Sequence, residues 1–324
     1  MVEKENKYRF YDYIKRNMLI LFLIVISIII SVIVPVFLSI QNILNVLTQI
    51  AINAMLSTGM TFVIISGGID LSVGSIAAFS GIAVTSIIVK LPNITIFESF
   101  IIGIGISILV GLACGGFSAI AIAKLNVTPF IATLAMMSIA RGITYVITKS
   151  RPIFGLPDTF GWLGQKYIFG AIPIIVIIMI VVLSIAHIVL DKTSFGRYIY
   201  AIGSNEEVAK LSGINVDRIK ISVYVISGIL SAFGGVCLAS KLATGQPTAG
   251  SGYELNAIAA VVMGGTSLSG GRGSMGKTVL GLLTIGIINN GLSLMKVSSY
   301  WQTIAMGLII LIAVSIDQLK LGKK

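Results

Sequence analysis

The sequence predicts an all-α membrane protein of about ten transmembrane helices. Apolar residues make up 56% of the 324 and charged residues only 11%, and the mean hydropathy is +1.01. Apolar runs of spanning length also follow one another, separated by polar or Gly/Pro breaks. Soluble domains carry about 25% charged residues. A chain this poor in charge cannot cover its own surface against water, so it must use lipid as solvent. A spanning helix needs about 20 mainly apolar residues. The length therefore allows roughly eight to twelve spans and leaves no room for a second, soluble domain.

The elements follow in order. A basic arm, Lys4 to Arg16, precedes the run Met18–Leu38. That run is too long for a signal h-region and has no small-x-small cleavage site after it, so it is read as a retained first span. Further spans are expected near Leu44–Ile65, Ser72–Val89, Phe97–Ala123, Val127–Ile147 and Ile168–Leu190. After a polar connector from Asp191 to Arg218 come Ile219–Ser240, Asn256–Leu268, Thr278–Leu294 and Thr303–Ile316. The eighth is short for a span and is expected to be kinked or partly re-entrant. The chain thus divides into an N-terminal arm (1–17), a transmembrane domain (18–316) and a tail (317–324).

The net charge of +11 does not point to nucleic acid, because the basic residues are scattered through loops and termini. With ten spans and the N-terminus inside, most Lys and Arg fall in the arm, at Lys124, in the connector, at Arg272 and Lys277, and in the tail. This positive-inside bias places both termini in the cytoplasm. Cys114 and Cys237 lie inside apolar runs and read as small hydrophobes, without disulfide or metal spacing.

Small residues recur at helical spacing in Ala77-x-x-x-Gly81, Gly111-x-x-x-Gly115 and Ser227-x-x-x-Ser231-x-x-x-Gly235. Such faces let helices approach closely in lipid. One internal echo pairs Gly67-Gly-Ile-Asp-Leu-Ser72 with Gly264-Gly-Thr-Ser-Leu-Ser269, each between two apolar runs. Repeats with interrupted helices are a transporter habit. Gly271 to Thr278 fits G-x-x-x-x-G-K-[ST], and Leu311 to Asp317 imitates an apolar strand ending in Asp. A P-loop works only between a strand and a helix of a soluble α/β domain. The flanks here are apolar runs, so the glycines are expected to make a turn, and no ATP hydrolysis is expected.

Two sets of polar residues are candidates for function. In the connector, Ser204 or Asn205 can N-cap a two-turn helix, Glu206 and Glu207 suit its positive end, and Gly213 suits its left-handed stop. Held between Gly203 and Gly213, it would be a rigid knob outside the bilayer; a plain interfacial loop is the other reading. Within the apolar runs, Asp70 follows a Gly-Gly break, where it either lines a pathway or caps the span beginning at Ser72. Arg141 either snorkels to the outer surface or lines the same route. Tyr253, Glu254 and Asn256 open the eighth span, and Asn289 and Asn290 interrupt the ninth. Amides suit a neutral polyol because they donate and accept, although they also serve as helix–helix glue. His187 reads as packing. No nucleophile triad, paired-carboxylate site or metal cluster is present in the pattern, so neither an enzyme nor a cofactor is expected.

Several blocks resemble the permease family of ribose-type ABC sugar importers. They are Gly59–Gly74, Phe195–Ile214, Gln246–Ala260 running on through Gly264–Gly271, Asn289-Asn-Gly-Leu292 and Val297–Gln302. The resemblance implies the ABC importer permease fold of the ribose/branched-chain type, and a permease subunit for D-ribose or a related monosaccharide in the cell membrane. It implies partners too: a second permease copy (a homodimer), ABC ATPase subunits below, and an extracytoplasmic sugar-binding protein above. It assigns ATPase coupling to Gly203, Ser204, Asn205, Glu206, Glu207, Ala209 and Gly213. One departure stands out: where the family typically reads Glu-Ala-Ala, this chain has Glu206-Glu207-Val208, which bears on how an ATPase groove is matched. The rival reading is an ion-coupled secondary sugar transporter, which needs intramembrane charges; Asp70 and Arg141 are its best candidates.

Overall fold

The computed structural model of the chain describes residues 18–321. The expected arm 1–17 and residues 322–324 of the expected tail lie outside the described residues. The helices are α1 (Met18–Ile33), α2 (Ile40–Ile65), α3 (Val73–Ile88), α4 (Ile96–Ala123), α5 (Pro129–Thr148) and α6 (Trp162–Gln165). A two-stranded hairpin, β1 (Tyr167–Ile168) and β2 (Ile172–Pro173), precedes α7 (Ile174–Lys192). Then come α8 (Ser194–Ser204), α9 (Glu206–Leu211), α10 (Val216–Leu242), α11 (Tyr253–Met263), α12 (Met275–Leu294) and α13 (Ser299–Leu321). Among the described residues six helices are long and apolar enough to cross a membrane: α2, α4, α5, α7, α10 and α12. Leu19–Ile33, α3 and α11 are shorter apolar helices.

The last helix is longer than its apolar run and α2 starts four residues before its own, and three other departures from the runs each have a local reason. The first run does not continue to Leu38 as one α-helix. Pro35 forces Val34 out of the helical region (φ −129°, ψ 93°), and Pro35–Leu38 forms a 3-10 turn instead. The sixth run starts its helix at Ile174 rather than Ile168, because Tyr167 and Ile168 pair with Pro173 and Ile172 around a tip at Phe169 and Gly170. The eighth begins earlier, at Tyr253, and stops at Met263, where Gly265 takes φ +92°.

α10 is the helix around which the bundle packs; it lies against α4, α3 and α2. The small-residue stripes explain the fit. A Cβ at Gly111 would overlap the Ile229 backbone, one at Gly115 would overlap the Tyr224 carbonyl oxygen, and Gly235 sits on the backbone of Ala77. These faces are packing faces. α2 is buried on all sides from Ile50 to Ile65, apart from half-buried Asn53, as a helix apolar all round should be. In contrast α4, α5 and α7 turn Leu109, Phe117, Ile120, Val146 and Ile185 outward. Soluble monomers rarely leave so large an apolar face bare, and the face suits a cover of lipid.

The sequence echo has a structural counterpart. α2 ends with Gly67 at φ +85°, and the Gly67 and Gly68 amides donate back to Ile64 and Val63. α11 ends with Gly265 in the same conformation, and the Gly265 and Thr266 amides donate to Val262 and Val261. Both are Schellman stops, in which a left-handed residue lets two amides satisfy the last carbonyls. The structural register pairs Gly67 with Gly265, one residue off the alignment of letters.

The stretch from Gly271 to Thr278 is the end of the loop from α11, Gly271 to Ser274, and the first turn of α12, Met275 to Thr278. Ser274 caps α12, accepting from the Lys277 amide at 3.4 Å. A helix precedes this loop, so the phosphate-cradling geometry of a P-loop is missing. His187 faces outward, its Nδ1 3.1 Å from the Asp191 carboxylate, while Cys114 and Cys237 are both buried.

Candidate functional site

The polar candidates gather in two places, and the first is the broken junction between α2 and α3. After the Gly67 stop the chain has no helical partner for its next polar groups, and Asp70 supplies them. Its carboxylate accepts from the Ser72 amide (3.0 Å) and the Ser72 hydroxyl (2.5 Å), fixing the first turn of α3. The other carboxylate oxygen accepts from the Ser227 hydroxyl of α10 at 2.7 Å. Ser227 lies about three turns into α10, roughly 16 Å from its start at about 1.5 Å per residue, so the junction sits well inside the bundle. Asp70 and Ser72 are both buried. Asp70 therefore does both jobs of a cap and an inter-helix pin, and in this conformation it is enclosed.

Beside that junction a second irregular stretch of backbone descends into the bundle. After α10 the chain pairs at Gly245 with Ile153 (2.8 and 3.0 Å), next to Thr85 near the far end of α3. By Gly250 it has reached Gly74, in the first turn of α3; each of these glycines would strike the other's backbone if it carried a Cβ. Thr85 to Gly74 is about 16 Å of helix. The chain covers this stretch in successive turns, Ala249 N donating to Gln246 O at 3.1 Å, Ser251 N to Thr248 O at 3.4 Å and Tyr253 N to Gly250 O at 3.2 Å. Gln246 to Gly250 thus runs antiparallel to α3 as turns rather than as a strand. Arg141 of α5 holds it there, donating through Nη1 to the carbonyls of Pro247 and Ala249, both at 2.8 Å. The guanidinium neither snorkels free nor stands bare in a route. Gly252 then adopts φ +81°, its amide donates to the Glu254 carboxylate at 3.2 Å, and α11 begins. Glu254 also lies against Gly74. Tyr253, Glu254 and Asn256 are half-buried.

The structure thus brings Asp70, Ser72, Arg141 and Glu254 together around the start of α3. Asn289 and Asn290 lie elsewhere. Asn290 makes a reciprocal amide pair with Asn42 (2.9 and 3.0 Å), and Asn42 also donates to Phe37 O at 2.8 Å. Both amides are buried, joining α12 to the first turn of α2, about 35 Å of helix away from the junction. Asn290 is inter-helix glue, and Asn289 is half-buried beside it.

The second place is the connector. Thr193 caps α8, accepting from Gly196 N at 3.3 Å, and α8 buries Ile199 and Ile202 against the bundle. Its end is seated with almost no clearance: a Cβ at Gly203 would overlap the Ile65 carbonyl oxygen and approach the Gly271 amide. Gly271 N itself donates to Ile65 O at 2.9 Å, and Tyr200 donates to Gly273 O at 3.0 Å. Burial, with Asp191 nearby, pushes the Tyr200 phenol up, so it stays a donor. Asn205, rather than Ser204, caps α9 by accepting from Val208 N at 3.0 Å. Glu206 and Glu207 occupy its first turn, and Gly213 (φ +82°) closes it with another Schellman stop, Gly213 N to Lys210 O and Ile214 N to Ala209 O. Ala209 points inward between Ile202 and Val216. Glu206 pairs with Lys220 of α10 at 2.6 Å.

Of the two apolar residues that α9 offers to solvent, Val208, 56% exposed, stands out in the sequence only as a departure from the family's Glu-Ala-Ala, and Leu211, 89% exposed, does not stand out at all. The two-turn knob gave the signal, but only its facing in three dimensions tells Ala209 from its neighbours. Ser227 was equally hidden, because its small-residue stripe explains it without reference to Asp70.

A capped, rigid knob with an apolar tip, seated on two interrupted helices of a lipid-solvated bundle, is transporter architecture. The family model of the branched-chain amino acid transport system / permease component matches residues 42–314. The chain belongs to this family. It is a multi-pass membrane permease, a transport component rather than an enzyme. Similar proteins include the ribose import permease of Haemophilus influenzae, 47% identical over 91% of this chain and 90% of that protein. The ribose import permease of Bacillus subtilis is 48% identical, over 88% and 87% respectively. The galactose/methyl galactoside import permease of Escherichia coli is 35% identical over 98% of both chains. No solved structure matches the permease.

Proposed function

We propose that this permease is the membrane-spanning subunit of an ATP-driven importer of D-ribose or a closely related monosaccharide. The observation that carries this is the 47–48% identity to two ribose import permeases over about nine-tenths of each chain, against 35% to the galactoside one. In this reading two copies form the pathway, separate ABC ATPase subunits grip α9 from the cytoplasm, and an extracytoplasmic binding protein delivers the sugar. The six long helices, the three shorter apolar ones and α13 make ten spans. Residues 18–316 form the transmembrane domain, and the arm 1–17 and tail 317–324 are cytoplasmic, as the distribution of basic residues supports.

Within the connector 191–218, Val208 and Leu211 form the ATPase contact, Glu206 and Glu207 rim it, and Asn205 and Gly213 keep the helix rigid. Gly203 and Ser204 pass its movement to the breaks at Ile65 and Gly271, and Ala209 anchors it. Tyr253, Glu254 and Asn256 border the route, Asp70, Ser72 and Arg141 hold its broken backbone in place, and Asn289 and Asn290 brace its far end.

The test is uptake of a panel of labelled sugars into vesicles holding the permease with its ATPase and binding protein. Ribose accumulation that needs ATP and survives collapse of ion gradients is the expected result. Accumulation that fails with the gradients while ATP remains would establish the ion-coupled alternative.

A further inference from the structure

A groove at the start of α4 takes no part in the site described above. It encloses about 550 Å³ between the loop that follows α3 and the first turns of α4, and Leu91, Ile94, Phe97 and Ile101 give it apolar walls. Lys90 and Asn93 line it on the loop side. α4 has 28 residues, about 42 Å of helix at about 1.5 Å per residue. The hydrocarbon core of a bilayer is about 30 Å thick, so about 6 Å of each end of α4 stands in the headgroup layer. Lys90 and Asn93 therefore lie among headgroups. Phe97 and Ile101 lead from them down one side of α4 to Ile108 and Leu112, which are exposed on the same helical face. The charges at the loop are unbalanced. Glu98 is turned back into its own cap, its carboxylate accepting from the Thr95 amide at 2.9 Å and the Thr95 hydroxyl at 2.8 Å. Among the described residues no carboxylate lies within ion-pair distance of the Lys90 ammonium.

We propose that this groove binds one anionic glycerophospholipid, with an acyl chain between the loop and α4 and the phosphate against Lys90 and Asn93. The site is independent of which solute the permease carries. A sugar would meet walls of Leu, Ile and Phe that offer it no hydrogen bonds, whereas an acyl chain asks for none. The groove opens sideways, since Phe97 is 71% and Ile101 51% exposed, so a chain enters it from the bilayer without crossing water. At headgroup depth Leu91 and Phe97 would otherwise meet water, and covering them removes apolar area from it. Bulk lipid touches a helix from one side only; here the loop supplies a second wall. The free lysine favours a headgroup of net negative charge, because a cation at the membrane surface is drawn to anionic lipid.

The test uses the full-length permease in nanodiscs containing phosphatidylglycerol with a diazirine on its acyl chain, and crosslinked peptides are read by mass spectrometry. Expected is crosslinking to residues 90–102 at least fivefold above that to Ile143 and Val146, exposed apolar residues of α5 that bulk lipid reaches. Lys90→Gln should lower it about fivefold, the worth of one lysine beside an anionic surface. Lys149→Gln, at an exposed lysine outside the groove, should leave it unchanged. Phe97→Ala combined with Ile101→Ala should abolish the excess with Tm unchanged, because both side chains are exposed. Crosslinking spread evenly over α4 and α5, or indifferent to Lys90→Gln, would overturn the site. An equal yield from a phosphatidylcholine probe would overturn the anionic headgroup. Displacement of the probe by excess inorganic phosphate would make the occupant a free anion, and its loss on adding the ATPase and binding protein would make it a protein; either result refutes the lipid.

Discussion

Asp70 separates two uses of a buried carboxylate, and the pair Asp70→Ala and Asp70→Asn tells them apart. The alanine removes three hydrogen bonds at once and leaves the Ser227 hydroxyl and the Ser72 amide without partners inside the bundle. Bonds to a charged group contribute about 1.5–3 kcal/mol each, but relief of the desolvation cost of a buried charge offsets part of that. A net loss of about 2–4 kcal/mol is expected from these two terms, read as a lowered Tm in detergent and as poor uptake. Asparagine keeps the shape. Its Oδ1 can still accept both bonds from Ser72, its Nδ2 faces Ser227, and a hydroxyl can rotate from donor to acceptor. Its expected cost is under about 1 kcal/mol, with ATP-driven uptake close to that of the unaltered protein. An Asp70→Asn permease that is fully stable but cannot transport would refute the pin reasoning, because only the charge would then have been lost.

Other outcomes follow from the remaining contacts. Asn42→Leu and Asn290→Leu should each destabilise the permease, and the double variant should recover part of the loss. Inter-helix hydrogen bonds in membranes average about 0.6 kcal/mol, so a double-mutant cycle on unfolding should show a coupling of about 1 kcal/mol for the two bonds. Val208→Asp and Leu211→Asp should reduce ATP-driven uptake at least tenfold with Tm unchanged. Ala209→Asp should instead fail on stability, since it places a carboxylate between Ile202 and Val216. Arg141→Ala should free the Pro247 and Ala249 carbonyls and raise the hydrogen-exchange rate of residues 246–252 about a hundredfold, at a cost of about 3 kcal/mol for two charge-assisted bonds; unchanged exchange there would count against the clamp.

The spans were legible because hydropathy needs no tertiary information: any run of Ile, Leu and Val long enough must find lipid or core. The ends were less so. Pro35 and Gly265 mark stops that a hydropathy run passes over, and α11 emerged as a short helix because Gly252 and Gly265 bracket it. Asn205, Gly213 and the first-turn acids were readable because capping is local chemistry. The partners of Asp70, Arg141 and Asn290 were not, because Ser227, Pro247 and Asn42 lie far away in the chain and each has an innocent reading of its own. Their chemistry belongs to pairs, and a single strand of letters shows only one member at a time.

One seat in the fold has a mechanical consequence. Gly203 rests on the terminal carbonyl of the interrupted helix α2 and beside the loop that leaves the other interrupted helix, α11, with Gly271 bridging the two. If α9 takes up the load of an ATPase, as proposed, part of it reaches both members of the internal repeat through this one seat, and the rest passes through the Glu206–Lys220 pair and the Ala209–Val216 contact into α10. Any residue bulkier than glycine at Gly203 would hold the two interrupted helices apart.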